Sequence, residues 1–492
     1  MKVKTLTIVG GGTAGWLAAA YLSHKQPHIN ITVVDKEVPD PIGVGEATIL
    51  TFLPFLEEAG LPVADWFMEF DSAYKSGILF TNWQTPGEDI WHPFYKGNDE
   101  IDPKWKLFDL YTHTQDLEFK KYLLAFYDSS ILHNSVDMTD IERYALHVDC
   151  GKVVKYLRKH LENKITLINS EVTDISYTDR GGINFLTLNN GDVINSDLFV
   201  DCTGFKQVLR KECKRVDLSD RLFVNTAVAG HVTYNDQHNE LTPYVKCDAV
   251  DHGWIWKIPV QNRIGSGMLF NRNITDVDTA KDYFVKYWDN RISKDNLKII
   301  NWDPYYNEDQ WHENIVSIGL SAGFIEPLES TGVGLMTYAI GQLNGILNEN
   351  HYTANEVDYF NIQMKIVFEN CINFVAMHYA NNSRTTPFWN FVNDTFVPSE
   401  EMQSYLEDFK DPNITLPWSA KYNTMFGGPN WSMFLIQLGY ELSKKNLDIS
   451  SDDAREIILT SYVQYEKYRH LDGHHHSTEI DRLREMKKYG IS

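Results

Sequence analysis

The six residues Gly10-Gly11-Gly12-Thr13-Ala14-Gly15 follow a β-branched run at residues 4–9 and open an Ala/Leu-rich helical stretch, Thr13–Lys25. Glycines at these positions have steric reasons. Gly10 permits a tight turn, Gly12 lets a pyrophosphate approach the backbone, and Gly15 lets helix and strand pack closely. The helix start, with Thr13 and Ala14 in its first turn, then offers free N–H groups to the phosphate. A second strand at residues 30–34 leads into Asp35, twenty residues past Gly15, where its carboxylate can accept from a ribose hydroxyl. Strand, turn, helix, strand and acid coincide, and together they predict a dinucleotide site.

Three further groupings carry possible chemistry. Asp201-Cys202-Thr203-Gly204 ends an apolar run in a glycine turn. Trp254 and Trp256 alternate on an extended segment closed by Pro259, so both indoles should face one side. Glu329-Ser330-Thr331-Gly332 precedes an apolar helical run, where an acid stabilises the helix dipole and free N–H groups attract an anion. The triplet His474-His475-His476 could tempt a metal assignment. Adjacent histidines point in different directions and offer no fixed geometry, so no metal is expected.

The elements that must position these residues are partly legible. Helical signals fall at residues 46–60, 118–127 and 153–162, and residues 74–83 alternate as a strand does. Residues 86–106 are rich in Pro, Gly, Asp and aromatics and read as loop. Short strands occupy residues 165–198, with hairpin turns at 179–182 and 189–191. Residues 222–270 are again strand-like. From residue 331 the pattern changes to long amphipathic helices at 333–347, 355–379 and 400–409. No repeat or Pro/Ser/Gly-rich linker divides the chain. The expectation is an α/β nucleotide-binding domain over residues 1–350 and a mainly helical domain over 351–492.

Composition narrows the function. The chain has 492 residues, of which 43% are hydrophobic and 23% charged, enough to bury a large core and rule out global disorder. A net charge of −22 argues against nucleic-acid or anionic-membrane partners. The 13 Trp, 26 Tyr and 25 Phe suit a core but also a pocket for planar ligands. Five scattered cysteines (Cys150, Cys202, Cys213, Cys247, Cys371), without any CxxC, fit a reduced, cytoplasmic setting. No apolar run reaches the roughly 18 residues of a membrane span.

Taken in order, several segments resemble the flavin-dependent tryptophan-type halogenase family. They begin with the glycine turn through Trp16, Ile42-Gly43-Val44-Gly45-Glu46-Ala47-Thr48, Tyr74-Lys75-Ser76-Gly77 and His92-Pro93-Phe94. Ala145-Leu146-His147-Val148-Asp149 and the turn from Asp201 to Phe205 follow, the latter similar to glutathione-reductase-like FAD proteins. Trp254-Ile255-Trp256-Lys257-Ile258-Pro259 supplies the family's WxWxIP, and Phe324-Ile325-Glu326-Pro327-Leu328-Glu329-Ser330-Thr331-Gly332 its FxxPxxSxG. The pair of motifs is highly specific, and the matches span about two thirds of the chain.

The resemblance implies a glutathione-reductase-like, Rossmann-type FAD domain with a β-sheet substrate region and a helical C-terminal domain. It further implies that reduced FAD and O2 oxidise halide, chloride or bromide, to hypohalous acid. This oxidant then passes through the protein to a lysine facing an electron-rich aromatic substrate. Carried over residue by residue, Lys75 is that lysine, and Glu329 stabilises the cationic ring intermediate. Thr331 and Gly332 bind halide. Gly10, Gly12, Thr13, Ala14, Gly15, Asp35, Gly45, Glu46, Ala47, Asp201, Gly204, Gly323 and Pro327 hold FAD. His92 and Phe94 line the substrate chamber, Trp254 and Trp256 wall it from the flavin, and His147 and Asp149 fall at a helix start. The region from about Phe388 departs from the segment that covers tryptophan in tryptophan-specific members, which leaves indoles, phenols and heteroarenes open as substrates. A separate flavin reductase is the expected source of reduced FAD, and homo-oligomers are compatible with the pattern. An aromatic hydroxylase acting directly at the flavin and a non-catalytic FAD-binding module are the alternatives.

Overall fold

The computed structural model describes residues 2–36, 46–94, 107–115, 144–210, 212–349, 351–411, 425–440, 444 and 446–466. The segment containing Gly45, the helix expected at 118–127 and the histidine triplet lie outside them. The chain divides into two compact units, each built from three separated segments. Met1–Ser72, Val148–Ser219 and Trp302–Glu369 form the first; Ala73–His147, Asp220–Asn301 and Asn370–Ser492 form the second. A cut at residue 350 does not follow this packing, because residues 351–369 belong with the first unit and residues 220–301 with the second.

The first unit is organised by a six-stranded sheet, in the order Trp311–His312, Ile315–Ser317, Leu198–Asp201, Thr5–Val9, Asn30–Val34, Thr166–Ile168. All neighbours are parallel except the hairpin Trp311–His312 with Ile315–Ser317. Thr5–Val9, four of whose five residues are buried, runs between two parallel neighbours, and such central strands end where α/β sheets bind ligands. The helix Thr13–Lys25 buries nine consecutive residues, Ala14 to Leu22, which its small Ala-rich surface allows. A second helix, Cys150–Leu161, presents Val153, Leu157 and Leu161 to the core at helical spacing. Its N-cap is Asp149, whose carboxylate accepts from Lys152 N at 3.2 Å. Asp149→Ala is therefore expected to cost about 1 kcal/mol, read as a lowered melting temperature. The hairpins of Val172–Tyr177, Ile183–Leu188 and Val193–Ile194 turn at Gly181 (φ +84°) and Gly191 (φ +86°), as the turn composition anticipates.

The second unit carries a seven-stranded sheet, ordered Lys298–Asn301, Thr226–Val232, Arg263–Phe270, Gly253–Val260, Val245–Val250, Gly77–Thr81, Asp89–Pro93. Only Val245–Val250 and Gly77–Thr81 pair in parallel. Alternation assigns the faces. Ile255 joins Val228, Met268 and Phe270 against Ala280 and Phe284 of the helix Val277–Tyr287, while Trp254 and Trp256 face the other way. On that other side lies an aromatic cluster. Trp83 sits 6.2 Å from Trp254, 5.3 Å from Tyr379 and 5.6 Å from Trp389, measured between ring centroids.

Asp89–Pro93 departs from the expected loop. Long-range pairing with Gly77–Thr81 overrides its Pro- and Asp-rich surroundings, and Pro93 is tolerated because this is the edge strand. Likewise only Phe52–Glu58 of residues 46–60 is helical, since Glu46–Ala47 is taken into a strand.

Lys257 stands on the same face as Ile255, its Nζ 4.7 Å and 4.6 Å from the ring centroids of Tyr287 and Trp288. Burial, and then Lys246 opposite it on the ladder, pull its amine down to about 8. The unfolded chain holds this proton more tightly, so stability rises as pH climbs from about 8 to the ordinary 10.5. Lys257→Met is expected to stabilise the protein at pH 7 by on the order of 1–3 kcal/mol, with the gain vanishing at high pH. An unchanged melting temperature at pH 7 would show that the amine is held as easily as in water.

Candidate active site

The turn after Val9 is shaped mostly by contacts of the chain with itself. Gly10 has φ +116°, and a Cβ there would lie 2.3 Å from the carbonyl oxygen of Cys202. At Gly15 it would meet the Gly10 carbonyl oxygen at 2.0 Å, and at Gly11 the Asp35 carboxylate at 1.8 Å. Gly12 differs. Its backbone angles, φ −80° and ψ −175°, suit any residue, and nothing lies within 4 Å of an added Cβ. The open side of the turn is thus at Gly12, where Thr13 and Ala14 begin the helix. Asp35, 4% exposed, gives one carboxylate oxygen to Arg158 Nη1 at 2.7 Å. Sequence reasoning missed both Gly11 and Arg158. The first is a packing contact with Asp35, and the second comes from a helix 123 positions away with no local signal.

Asp201 is fully buried, and both of its oxygens serve the chain itself. Oδ1 accepts from Thr203 N, Thr203 Oγ1 and Ser321 Oγ at 2.9, 2.6 and 2.9 Å, and Oδ2 from Leu209 N at 2.9 Å. These bonds shape the turn that leads to Gly204, where φ is +71° and an added Cβ would meet nothing within 4 Å. Gly323 is a packing glycine, because a Cβ would press on Tyr306 Cβ at 2.7 Å and on Phe368 at 2.8 Å. Glu46 accepts from Cys150 N at 3.2 Å, and Ala47 is buried beside it in the chain.

Pro327 opens the short turn Pro327–Glu329, in which Glu329 is 1% exposed. Ser330 then takes φ +60° and ψ +29°, and the chain enters the seventeen-residue helix Thr331–Leu347. Thr331 is fully buried and its Oγ1 finds no hydrogen-bond partner among the described residues, while an added Cβ at Gly332 would meet nothing within 4 Å. Free N–H groups, the helix dipole and space at Gly332 together suit a small anion.

In the second unit, Lys75 ends the strand Ala73–Lys75, which pairs with Ala145–Val148. Although a lysine, it is 0% exposed, and its Nζ lies 4.9 Å from the ring centroid of Phe94. The two are tied through the intervening backbone, since Phe94 N donates to Ser76 O at 2.8 Å. A solvated surface lysine is thereby excluded. Trp254 and Trp256 are 0% and 6% exposed with ring centroids 6.3 Å apart. Trp256 lies over its cross-strand partner Gly267, where a Cβ would come within 2.1 Å of the indole, and this explains the glycine. His92 and Phe94 are buried as well, His92 beside Asn430 at 2.9 Å. Asn430 was not anticipated. His147 is on a strand rather than at a helix start, its Nδ1 2.9 Å from Pro259 O, whereas Asp149 does cap a helix. Lys75, His92, Phe94, Trp254 and Trp256 thus share the second unit, while Glu329, Thr331 and Gly332 belong to the first. Among the described residues no group of three or more His, Cys, Asp or Glu could hold a metal, and no helix is long and apolar enough to cross a membrane.

Comparison with known proteins bears on this arrangement. The family model for tryptophan halogenases matches residues 5–449. A tryptophan 6-halogenase of Streptomyces albogriseolus is 32% identical over 418 residues, 79% of this chain and 78% of that protein. The chain belongs to the tryptophan halogenase family. A tryptophan 7-halogenase of Lentzea aerocolonigenes is 30% identical to this halogenase over 83% of this chain and 82% of its own. Among solved structures, a flavin-dependent halogenase from Brevundimonas sp. BAL3 superposes on it with a TM-score of 0.83 at 25% identity, covering 98% of this chain and 99% of that one. This halogenase is thus a flavin-dependent enzyme of mixed α/β fold. The residues present fit the FAD the family uses, because Gly12 leaves a space that the fold itself does not need. The pyrophosphate would be held there by the N–H groups of Thr13 and Ala14, with Asp35 toward the ribose.

Proposed function

We propose that this protein halogenates a small electron-rich aromatic compound, an indole, phenol or heteroarene, by electrophilic substitution directed from Lys75. Bound reduced FAD supplies the activation of O2 that turns halide into hypohalous acid. The protein's own groups do the rest. The first-turn N–H groups at Thr331 and Gly332 hold halide, and Lys75 Nζ holds the oxidant by hydrogen bond or as a haloamine. The Glu329 carboxylate stabilises the positive charge that develops on the ring and can accept the ring proton. His92 and Phe94 orient the substrate, and the Trp254/Trp256 wall keeps it from the flavin while a small oxidant passes within the protein.

The observation that carries this reading is Lys75 itself: a 0% exposed amine against an aromatic ring, where a lysine head group ordinarily keeps to solvent. A panel of indoles and phenols, incubated with FAD, a separate flavin reductase, O2 and either chloride or bromide, tests it by mass spectrometry. Halide-dependent mass gain is expected. A hydroxylated product that forms equally without halide would place the substrate at the flavin and overturn the reading. NADH alone, without the reductase, is expected to give no turnover.

A further inference from the structure

His92 lies 1% exposed on the edge strand Asp89–Pro93, its ring centroid 5.1 Å from that of Phe434 and 5.6 Å from that of Phe374. Its Nε2 is 2.9 Å from Nδ2 of Asn430, 338 positions away in the chain. An imidazole nitrogen can donate or accept, and the partner decides which. Here the partner has no choice. Asn430 is the N3 residue of the helix Gly428–Gln437, and its Oδ1 accepts from the N–H of the N-cap residue Gly427 at 3.0 Å. Turning the amide over would set its NH2 against the Gly427 N–H and forfeit the cap. The helix is held to the same strand at a second point. Gln437, seven residues on, accepts from Trp91 N at 2.9 Å through Oε1 and donates to Trp91 O at 2.8 Å through Nε2.

With the amide oxygen committed to the cap, its NH2 must face His92, and Nε2 must accept. A hydrogen on Nε2 would meet the amide hydrogens head-on beside the buried rings of Phe374 and Phe434, and the hydrogen bond of a 1% exposed imidazole would be lost. We infer that Asn430 is a positioning residue that holds His92 as the tautomer protonated at Nδ1. Any group at the other edge of the ring is then met by a donor and not by a lone pair. The consequence for turnover rests on the proposed placement of His92 in the substrate chamber; the tautomer does not.

The test is long-range 1H–15N NMR of the full-length protein labelled with 15N-histidine, which reports the protonated nitrogen directly. Signals of His92 are identified by their loss in His92→Phe. The wild type is expected to show Nδ1–H. Asn430→Asp keeps an oxygen for the Gly427 cap but turns the neighbouring donor into an acceptor, so Nε2 should gain the proton. Its kcat/KM for halogenation should fall by on the order of tenfold at unchanged FAD affinity. An Nε2–H in the wild type, or a ring unaltered in Asn430→Asp, overturns the assignment. A changed ring with undiminished turnover overturns the positioning role. Wild-type protein that halogenates nothing would defeat the proposed function and leave the NMR result standing.

Discussion

Lys75→Met is expected to lower halogenation at least about a thousand-fold while oxidation of bound reduced flavin continues at the wild-type rate. Methionine fills nearly the volume of the lysine stem, so a site with 0% exposure is not left as a cavity. The substitution also removes a buried amine, which costs the fold nothing once the charge is gone. What disappears is the one group on the Ala73–Lys75 strand that can hold or carry an electrophilic halogen. The glycine turn and the helix start at Thr331 belong to the other unit and are untouched. Product counted by mass spectrometry, flavin oxidation followed by absorbance and a melting curve separate the cases. Halogenated product at the wild-type rate from a folded variant would remove Lys75 from the reaction.

Gly12→Val is expected to leave the melting temperature nearly unchanged and to weaken FAD binding by at least about a hundred-fold, roughly 2.7 kcal/mol. The backbone at residue 12 lies in an extended region open to valine, and the valine Cβ would meet nothing within 4 Å beyond its chain neighbours. Neither strain nor a clash at Cβ therefore explains a glycine there, whereas the proposed passage of a pyrophosphate close to the backbone would. Gly10→Ala provides the contrast. Positive φ and a 2.3 Å approach to Cys202 make that change a folding defect, which should lower the melting temperature with or without FAD. Equal FAD affinity in Gly12→Val and the wild type, measured by quenching of flavin fluorescence, would place the pyrophosphate elsewhere.

Features set by near neighbours were legible in the sequence. The helix Thr13–Lys25, the strand Asn30–Val34, the cap at Asp149 and the hairpin turns at Gly181 and Gly191 all follow from steric rules spanning a few residues. The shared face of Trp254 and Trp256 follows from the two-residue period of a strand. The family motifs pointed to Lys75, yet nothing in its neighbours in sequence could say that its exposure would be 0%.

Tertiary structure decided which partners each group meets. Asp201 and Asp35 read alike in sequence, as acids at the ends of strands. Asp201 gives both oxygens to its own turn and to Ser321, 120 positions on, whereas Asp35 accepts from Arg158, on a helix 123 positions away. The edge strand Asp89–Pro93 exists because Gly77–Thr81 is there to pair with it. The two units interleave three segments each, and His92 takes its tautomer from an amide 338 positions away. Local sterics act through bonded neighbours and so can be read along the chain. Hydrogen-bond partners and burial are settled by packing, which brings together residues whose separation in sequence carries no trace of the contact.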